Sequence, residues 1–185
     1  MFDRERLRDL ILQKALHFGQ FTLASGKTST YYLDCRKITL DPEGARLVGE
    51  GILDILLQSS FPDAVGGMAI GADPITAAVV TMSAVRGTPI RGFMVRKEPK
   101  GHGTQQYIEG PVEPGDRVAI LEDVLTTGGS ALKAIERAVA FGLHVTQVIG
   151  IIDRLEGAGQ AFAERGYPFA ALFTIRDFGI EPNPA

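Results

Sequence analysis

The chain has 185 residues, 45% of them hydrophobic and 22% charged, the balance of a folded globular protein rather than a disordered one. Its formal net charge of -3 and pI near 5.6 lack the basic excess of a nucleic-acid binder, so no nucleic-acid partner is expected. A single cysteine, Cys35, excludes an internal disulfide and a multi-cysteine zinc site; the start, Met1-Phe2-Asp3-Arg4-Glu5-Arg6, has no apolar signal core and no apolar run would span a bilayer, so a cytoplasmic location with no membrane partner is expected.

From the N-terminus, Leu7, Leu10, Ile11, Ala15 and Phe18 recur on one stripe and predict a helix from Asp3 to Phe18, stopped at Gly19. Short extended segments follow at Phe21 to Leu23 and Tyr31 to Asp34, around a turn at Ser25-Gly26-Lys27. Asp41-Pro42 reads as an N-cap with proline at the first helical position, opening a helix to about Gln58. A strand is expected at Val65 to Ile70, and Asp73-Pro74 repeats the capping signal before a helix to Val85. Ile90 to Val95 reads as a strand, and Arg96 to Gly115 as a long polar loop of the kind that usually serves function. Strand Val118 to Leu121, helix Gly129 to Phe141 (stopped at Gly142), strand Val145 to Ile152, a short helix at Ala158 to Arg165 and strand Phe169 to Thr174 complete the chain. Alternating helices and short apolar strands predict an α/β fold, a parallel sheet covered by helices on both faces. No repeat, low-complexity tract or linker divides it, so residues 1–185 read as one domain.

The segment richest in chemistry runs from Val118 to Ser130. An apolar strand leads to Glu122-Asp123, then Val124-Leu125, then Thr126-Thr127-Gly128-Gly129-Ser130 at the mouth of a helix. Small residues let backbone N–H groups approach a phosphate, aided by the helix N-terminus and the hydroxyls. Two carboxylates would repel that phosphate but would accept hydrogen bonds from the hydroxyls of its sugar, so a phosphorylated ribose satisfies both features. The plainer alternative is an acidic helix start with a flexible loop. No Gly-x-x-x-x-Gly-Lys-Ser/Thr run and no helix-opening Gly-x-Gly-x-x-Gly exists, which excludes the P-loop and dinucleotide fingerprints.

Glu122 to Ser130 resembles the phosphoribosyl diphosphate (PRPP) signature of type I phosphoribosyltransferases. Phe93-Met94-Val95-Arg96-Lys97-Glu98-Pro99-Lys100-Gly101-His102-Gly103 resembles the strand and catalytic loop of the orotate phosphoribosyltransferases. Phe21 to Lys27 and Tyr31 to Asp34 are similar to that family's N-terminal segment, and Ile152-Asp153-Arg154 to its orotate-binding arginine. The resemblance covers nearly the whole chain.

It implies a type I phosphoribosyltransferase-like fold with a small hood, contributed mainly by about 1–40 and the C-terminal segment. It implies transfer of phosphoribose from PRPP to orotate, giving orotidine 5'-monophosphate and diphosphate in pyrimidine synthesis. Mg2+ would be held mainly through PRPP, with no direct protein ligand. Arg96, Lys97, Lys100 and His102 match the diphosphate-binding residues, with Lys97, Lys100 and His102 also counted as catalytic; taken alone, this stretch would read as a solvated basic loop. In the family most of the loop reaches the neighbouring subunit's site, which implies a homodimer with shared active sites. Glu122 and Asp123 match the ribose-binding acids, Asp123 being also a candidate proton acceptor. Val124, Leu125, Thr126, Thr127, Gly128, Gly129 and Ser130 would complete the PRPP cradle, and Ala72 and Asp73, after Gly71, a second diphosphate loop; a simple capped helix is the alternative for that segment. Thr126, Arg154, Tyr32 and Leu33 match orotate contacts, an ion pair of Arg154 with Asp153 or Glu156 being the competing reading. Ala24 and Ala72-Asp73 stand where some members carry Lys and Tyr-Lys. A phosphoribosyltransferase for another base, and a non-catalytic PRPP-sensing regulator, remain the alternatives.

Overall fold

A computed structural model describes residues 2–22, 28–59, 61–99 and 106–182. Lys100 and His102, together with Ala24 and Lys27, lie outside the described residues.

Helix α1 spans Arg4–Lys14, with the Asp3 side chain accepting from the Arg6 N–H at its start. It is shorter than its apolar stripe implies. Leu7, Leu10, Ile11 and Ala15 are buried as expected, but at Leu16 the chain becomes strand β1, Leu16–Thr22. There it pairs antiparallel with β2, Thr28–Leu33, matching Leu16 to Leu33, His17 to Tyr32 and Phe18 to Tyr31. Phe18, expected on the buried face of a helix, is 67% exposed, and Gly19 sits within the strand instead of ending a helix. Cross-strand pairing of an aromatic-rich segment outweighs a helical period that only Phe18 extended past Ala15.

A short helix α2, Arg36–Thr39, leads into α3, Pro42–Leu57. Asp41 caps α3 as its sequence predicts, accepting from the Glu43 and Gly44 N–H groups at 3.1 and 2.9 Å. The Lys14 ammonium also donates to this carboxylate, tying α1 to α3. Val48, Ile52, Leu53 and Leu56 are fully buried, each contributing roughly 1.5–3 kcal/mol.

The central sheet contains β3 (Ala64–Met68), β4 (Arg91–Val95), β5 (Ile108–Glu109), β6 (Arg117–Leu125), β7 (His144–Asp153) and β8 (Phe169–Thr174). Its order is β5-β4-β3-β6-β7-β8, parallel except for the antiparallel β5. The crossover helices are α4 (Ala72–Val85), α5 (Gly129–Phe141) and α6 (Ala158–Ala163). Apolar residues on the sheet and its helices form one cluster with α1, α3 and the C-terminal 3-10 turn Ile175–Phe178, and a second beneath α5 and α6.

From β3 the chain winds outward through α4 to β4; from β6 it winds the other way through α5 to β7 and β8. The strand order therefore reverses between β3 and β6, where an open α/β sheet leaves a crevice at the strands' C-terminal ends. Direct pairing of these two strands runs only from Ala64–Val118 to Gly66–Ile120. Beyond it β6 continues on β7 alone, through Glu122–Gly150, Val124–Ile152 and Leu125–Asp153.

Candidate active site

Both sequence-singled loops converge on that crevice. The acids are not beyond the strand, as the apolar run ending at Leu121 suggested; pairing with β7 carries the strand to Leu125, so Glu122 and Asp123 project from β6 itself. On the β3 side, α4 begins at Ala72 with Gly71 as its N-cap. Asp73-Pro74 thus lies in the first turn rather than at the cap, a place where proline's missing N–H costs nothing. The Asp73 N–H donates to the Ile70 carbonyl, and the Ala69–Ile70 peptide is cis. A Cβ on Gly67 would lie 2.1 Å from the Leu121 carbonyl oxygen and 2.7 Å from the Ala72 Cβ, so only glycine lets the helix start sit this close to β6.

A cavity of about 170 Å3 is formed by Glu122, Val124, Leu125, Thr126, Thr127, Gly128, Gly129, Ser130 and Ala131. It is a loop wrapped around the N-terminus of α5, where the first N–H groups have no intrahelical acceptor. Gly128 is required here: its φ is +80°, and a Cβ would meet the Phe162 ring at 2.9 Å. The loop is held from behind by backbone bonds from Arg154 to the Leu125 carbonyl and from Ala158 to the Thr126 carbonyl.

A second cavity, of about 360 Å3, lies alongside, lined by Tyr32, Leu33, Asp34, Cys35, Arg36, Ile70, Gly71, Lys97, Asp123 and Val124. The two share Val124. The structure thus brings Tyr32 and Leu33 of the hairpin, Gly71 of the α4 loop, Lys97 of the basic segment and Asp123 of β6 around one space. Asp34 closes the Tyr31 to Asp34 segment but, like Cys35 and Arg36, was assigned no site role from sequence; the signal for Cys35 and Arg36 was adjacency to that segment, and Arg36 is engaged in an ion pair with Asp34 at 2.8 Å.

The acids differ in environment. Glu122 is 6% exposed, and its Oε2 is buried without a hydrogen-bond partner. Burial, reinforced by the charge of Asp123, pushes its carboxyl up to about 7 despite a hydrogen bond from Ser130. Asp123 accepts from the Val124 N–H at 2.8 Å. The Asp73 Oδ1 is also buried without a partner, and burial raises this carboxyl above the usual range. Ala72 is fully buried and offers only its backbone.

Arg154 and Arg96 do not line the second cavity. The Arg154 guanidinium pairs with Glu156 at 2.9 Å and lies 4.9 Å from the centroid of the Tyr31 ring. The competing ion pair is therefore present, with Glu156 as partner; Asp153 instead accepts from the Leu155 N–H. Arg96 donates to the Glu98 carbonyl and faces Glu109 at 3.5 Å. Among the described residues no group of three or more His, Cys, Asp or Glu side chains could hold a metal ion, and no helix is long and apolar enough to cross a membrane.

A mainly parallel sheet with a phosphate-sized loop and a pair of acids, Glu122 buried and Asp123 partly exposed, at its switch point, roofed by a hairpin, is the type I phosphoribosyltransferase architecture. A solved structure of the Mycobacterium tuberculosis orotate phosphoribosyltransferase, in complex with Fe(III) dicitrate, superposes with TM-score 0.86 at 34% identity, covering 96% of this chain and 99% of that one. The same enzyme in complex with PRPP gives TM-score 0.82 at 32% identity, over 96% and 99% of the chains. The orotate phosphoribosyltransferase of Rhodopirellula baltica is 57% identical over 178 residues, 94% of this chain and 92% of that one. No protein-family model matches. This chain belongs to the orotate phosphoribosyltransferase family.

Proposed function

We propose that the chain transfers the 5-phosphoribosyl group of PRPP to orotate, releasing diphosphate and forming orotidine 5'-monophosphate for pyrimidine synthesis. The observation that carries this is the junction at the β3/β6 crevice. A phosphate-sized cavity at the α5 N-terminus adjoins a larger one containing Asp123, Gly71 and Lys97.

In this reading the Thr126–Ser130 loop holds the 5'-phosphate through backbone N–H groups and hydroxyls, with Val124 and Leu125 shaping its base. Glu122 and Asp123 accept hydrogen bonds from the ribose hydroxyls. The unpartnered Glu122 Oε2 supports this, because a buried acceptor without a donor is costly until a ligand supplies one. Gly71 and Ala72 present backbone amides to the diphosphate, with Asp73, whose N–H donates to the Ile70 carbonyl, completing the turn. Lys97, with Arg96, Lys100 and His102, offsets the charge that grows on the leaving diphosphate. Tyr32 and Leu33 contact orotate through their backbone, Thr126 at its edge, and Arg154 pairs with its carboxylate after exchanging Glu156. Asp123, which lines the larger cavity with Lys97 and Gly71, serves as proton acceptor. Mg2+ would be held mainly through PRPP, with no direct protein ligand, and would supply charge neutralisation there.

The whole of residues 1–185 acts as one cytoplasmic domain, its hood built on about 1–40 and the C-terminal segment. Packing of Leu7, Leu10, Tyr31 and Ile38 in one cluster with Ile175 and Phe178 supports that reading. Two copies assemble as a homodimer with shared sites. An apolar groove of about 500 Å3, lined by Leu40, Pro42, Ala45, Pro74, Ala78 and Met82, adjoins the α4 start and is a suitable contact face.

The test follows orotate's ultraviolet absorbance with purified protein, PRPP and Mg2+, omitting each in turn. Loss of absorbance that requires all three, with orotidine monophosphate and diphosphate as products, is expected. PRPP binding without orotate turnover would reject the acceptor base and favour another base or a sensor.

A further inference from the structure

Arg137 lies two turns into α5, the helix whose N-terminus forms the phosphate loop. No sequence motif marks it. Its guanidinium reaches back across the sheet to the segment after β4: one nitrogen donates to the Arg96 carbonyl at 2.5 Å, the other to the Lys97 carbonyl at 3.0 Å. The same group lies 4.1 Å from the centroid of the Tyr107 ring and 3.5 Å from the Met68 sulfur. Arg96 and Tyr107 are themselves joined by a backbone hydrogen bond of 2.8 Å. One side chain thus holds the outgoing backbone at residues 96–97 and stacks on the ring of Tyr107, whose carbonyl is tied to the Arg96 N–H.

This arrangement has two physical consequences. Two consecutive carbonyls fixed by one rigid planar fork set the orientation of the peptide at Lys97, and hence the direction in which its side chain leaves the backbone. Lys97 is exposed, yet it lines the cavity that contains Asp123 and Gly71. Holding a long exposed side chain over a site costs conformational entropy unless its backbone is already oriented. In addition, the partners of Arg137 among the described residues are carbonyls, a sulfur and a ring, none of which neutralises its charge.

We infer that Arg137 is a positioning residue for PRPP chemistry, acting through Lys97: it fixes the backbone at Arg96-Lys97 so that the Lys97 ammonium is aimed at the diphosphate side of the cavity. The inference rests on the PRPP reading of that cavity. Lysine cannot replace it, because a single ammonium cannot bridge both carbonyls while stacking on Tyr107.

The experiment compares wild type, Arg137→Met, Arg137→Lys, Lys97→Ala and the Lys97→Ala/Arg137→Met double variant. Measurements are kcat, the KM for each substrate, PRPP binding by calorimetry, and Tm. Arg137→Met is expected to lower kcat/KM for PRPP about tenfold or more while the orotate KM moves less than about twofold. Arg137→Lys is expected not to restore activity. The double variant is expected to be no worse than Lys97→Ala, in turnover and in PRPP binding, because the two residues act as one unit. Independent, multiplicative losses in the double variant would overturn the inference. So would an Arg137→Met protein that is as active as wild type, or one whose loss is equal for both substrates and tracks a lowered Tm. An inactive wild type would instead defeat the reaction assignment itself, and calorimetric PRPP binding across the same five proteins would still decide the role of Arg137.

Discussion

Glu122→Gln isolates the electrostatics of the site with almost no change of shape. Burial and the adjacent Asp123 raise the Glu122 carboxyl from 4.5 to about 7. Between those values the folded protein binds a proton that the unfolded chain releases. The group's favourable contribution is therefore full below about 4.5 and is lost as pH rises through 7, because an anion must then be kept where water cannot reach it. A rise of this size corresponds to about 3 kcal/mol, a substantial part of a typical domain's stability. Urea unfolding of the ligand-free protein, measured from pH 4.5 to 8.5, is expected to show wild type losing stability relative to Glu122→Gln by about 2–3 kcal/mol, most of it between pH 4.5 and about 7. The variant should bind PRPP more weakly at pH 8, where the carboxylate is the better acceptor for ribose hydroxyls. Parallel stability curves for the two proteins would refute the reasoning, since they would mean that Glu122 titrates alike in both states.

Two further outcomes test the remaining assignments. Arg154→Ala is expected to raise the orotate KM about tenfold or more, the loss of a charge-assisted carboxylate contact, with little change in PRPP binding; unchanged orotate kinetics would leave Arg154 as a partner of Glu156 only. Lys100→Ala and Asp123→Ala proteins, each nearly inactive, are expected to regain about a quarter of wild-type activity when mixed and allowed to exchange subunits, because random pairing makes half the dimers hybrid with one intact site each. Verified hybrids without activity would exclude sharing of Lys100 between subunits.

The sequence by itself determined the class of architecture and the chemical character of the crevice. Apolar runs at Val65, Val118 and Val145 separated by helical periods predict parallel strands with crossovers. The Glu-Asp and Thr-Thr-Gly-Gly-Ser stretch carries its meaning locally, because a phosphate loop is made of consecutive backbone N–H groups. Asp41-Pro42 likewise caps α3 as written, a cap being a contact among neighbours in the chain. Pairing decided the rest. Strand β1 replaced the end of α1 because Tyr31 and Leu33 lie opposite it, and β6 ran past Leu121 because β7 lies beside Glu122 and Val124. The antiparallel β5, the placement of Lys97 beside Asp123, the Arg154–Glu156 pair and the grip of Arg137 on residues 96, 97 and 107 were likewise settled only in three dimensions. The physical reason is one of range: periodicity, caps and loop amides act over a few residues, whereas burial of Glu122 and convergence on the β3/β6 crevice depend on elements more than fifty positions apart, brought together by the sheet.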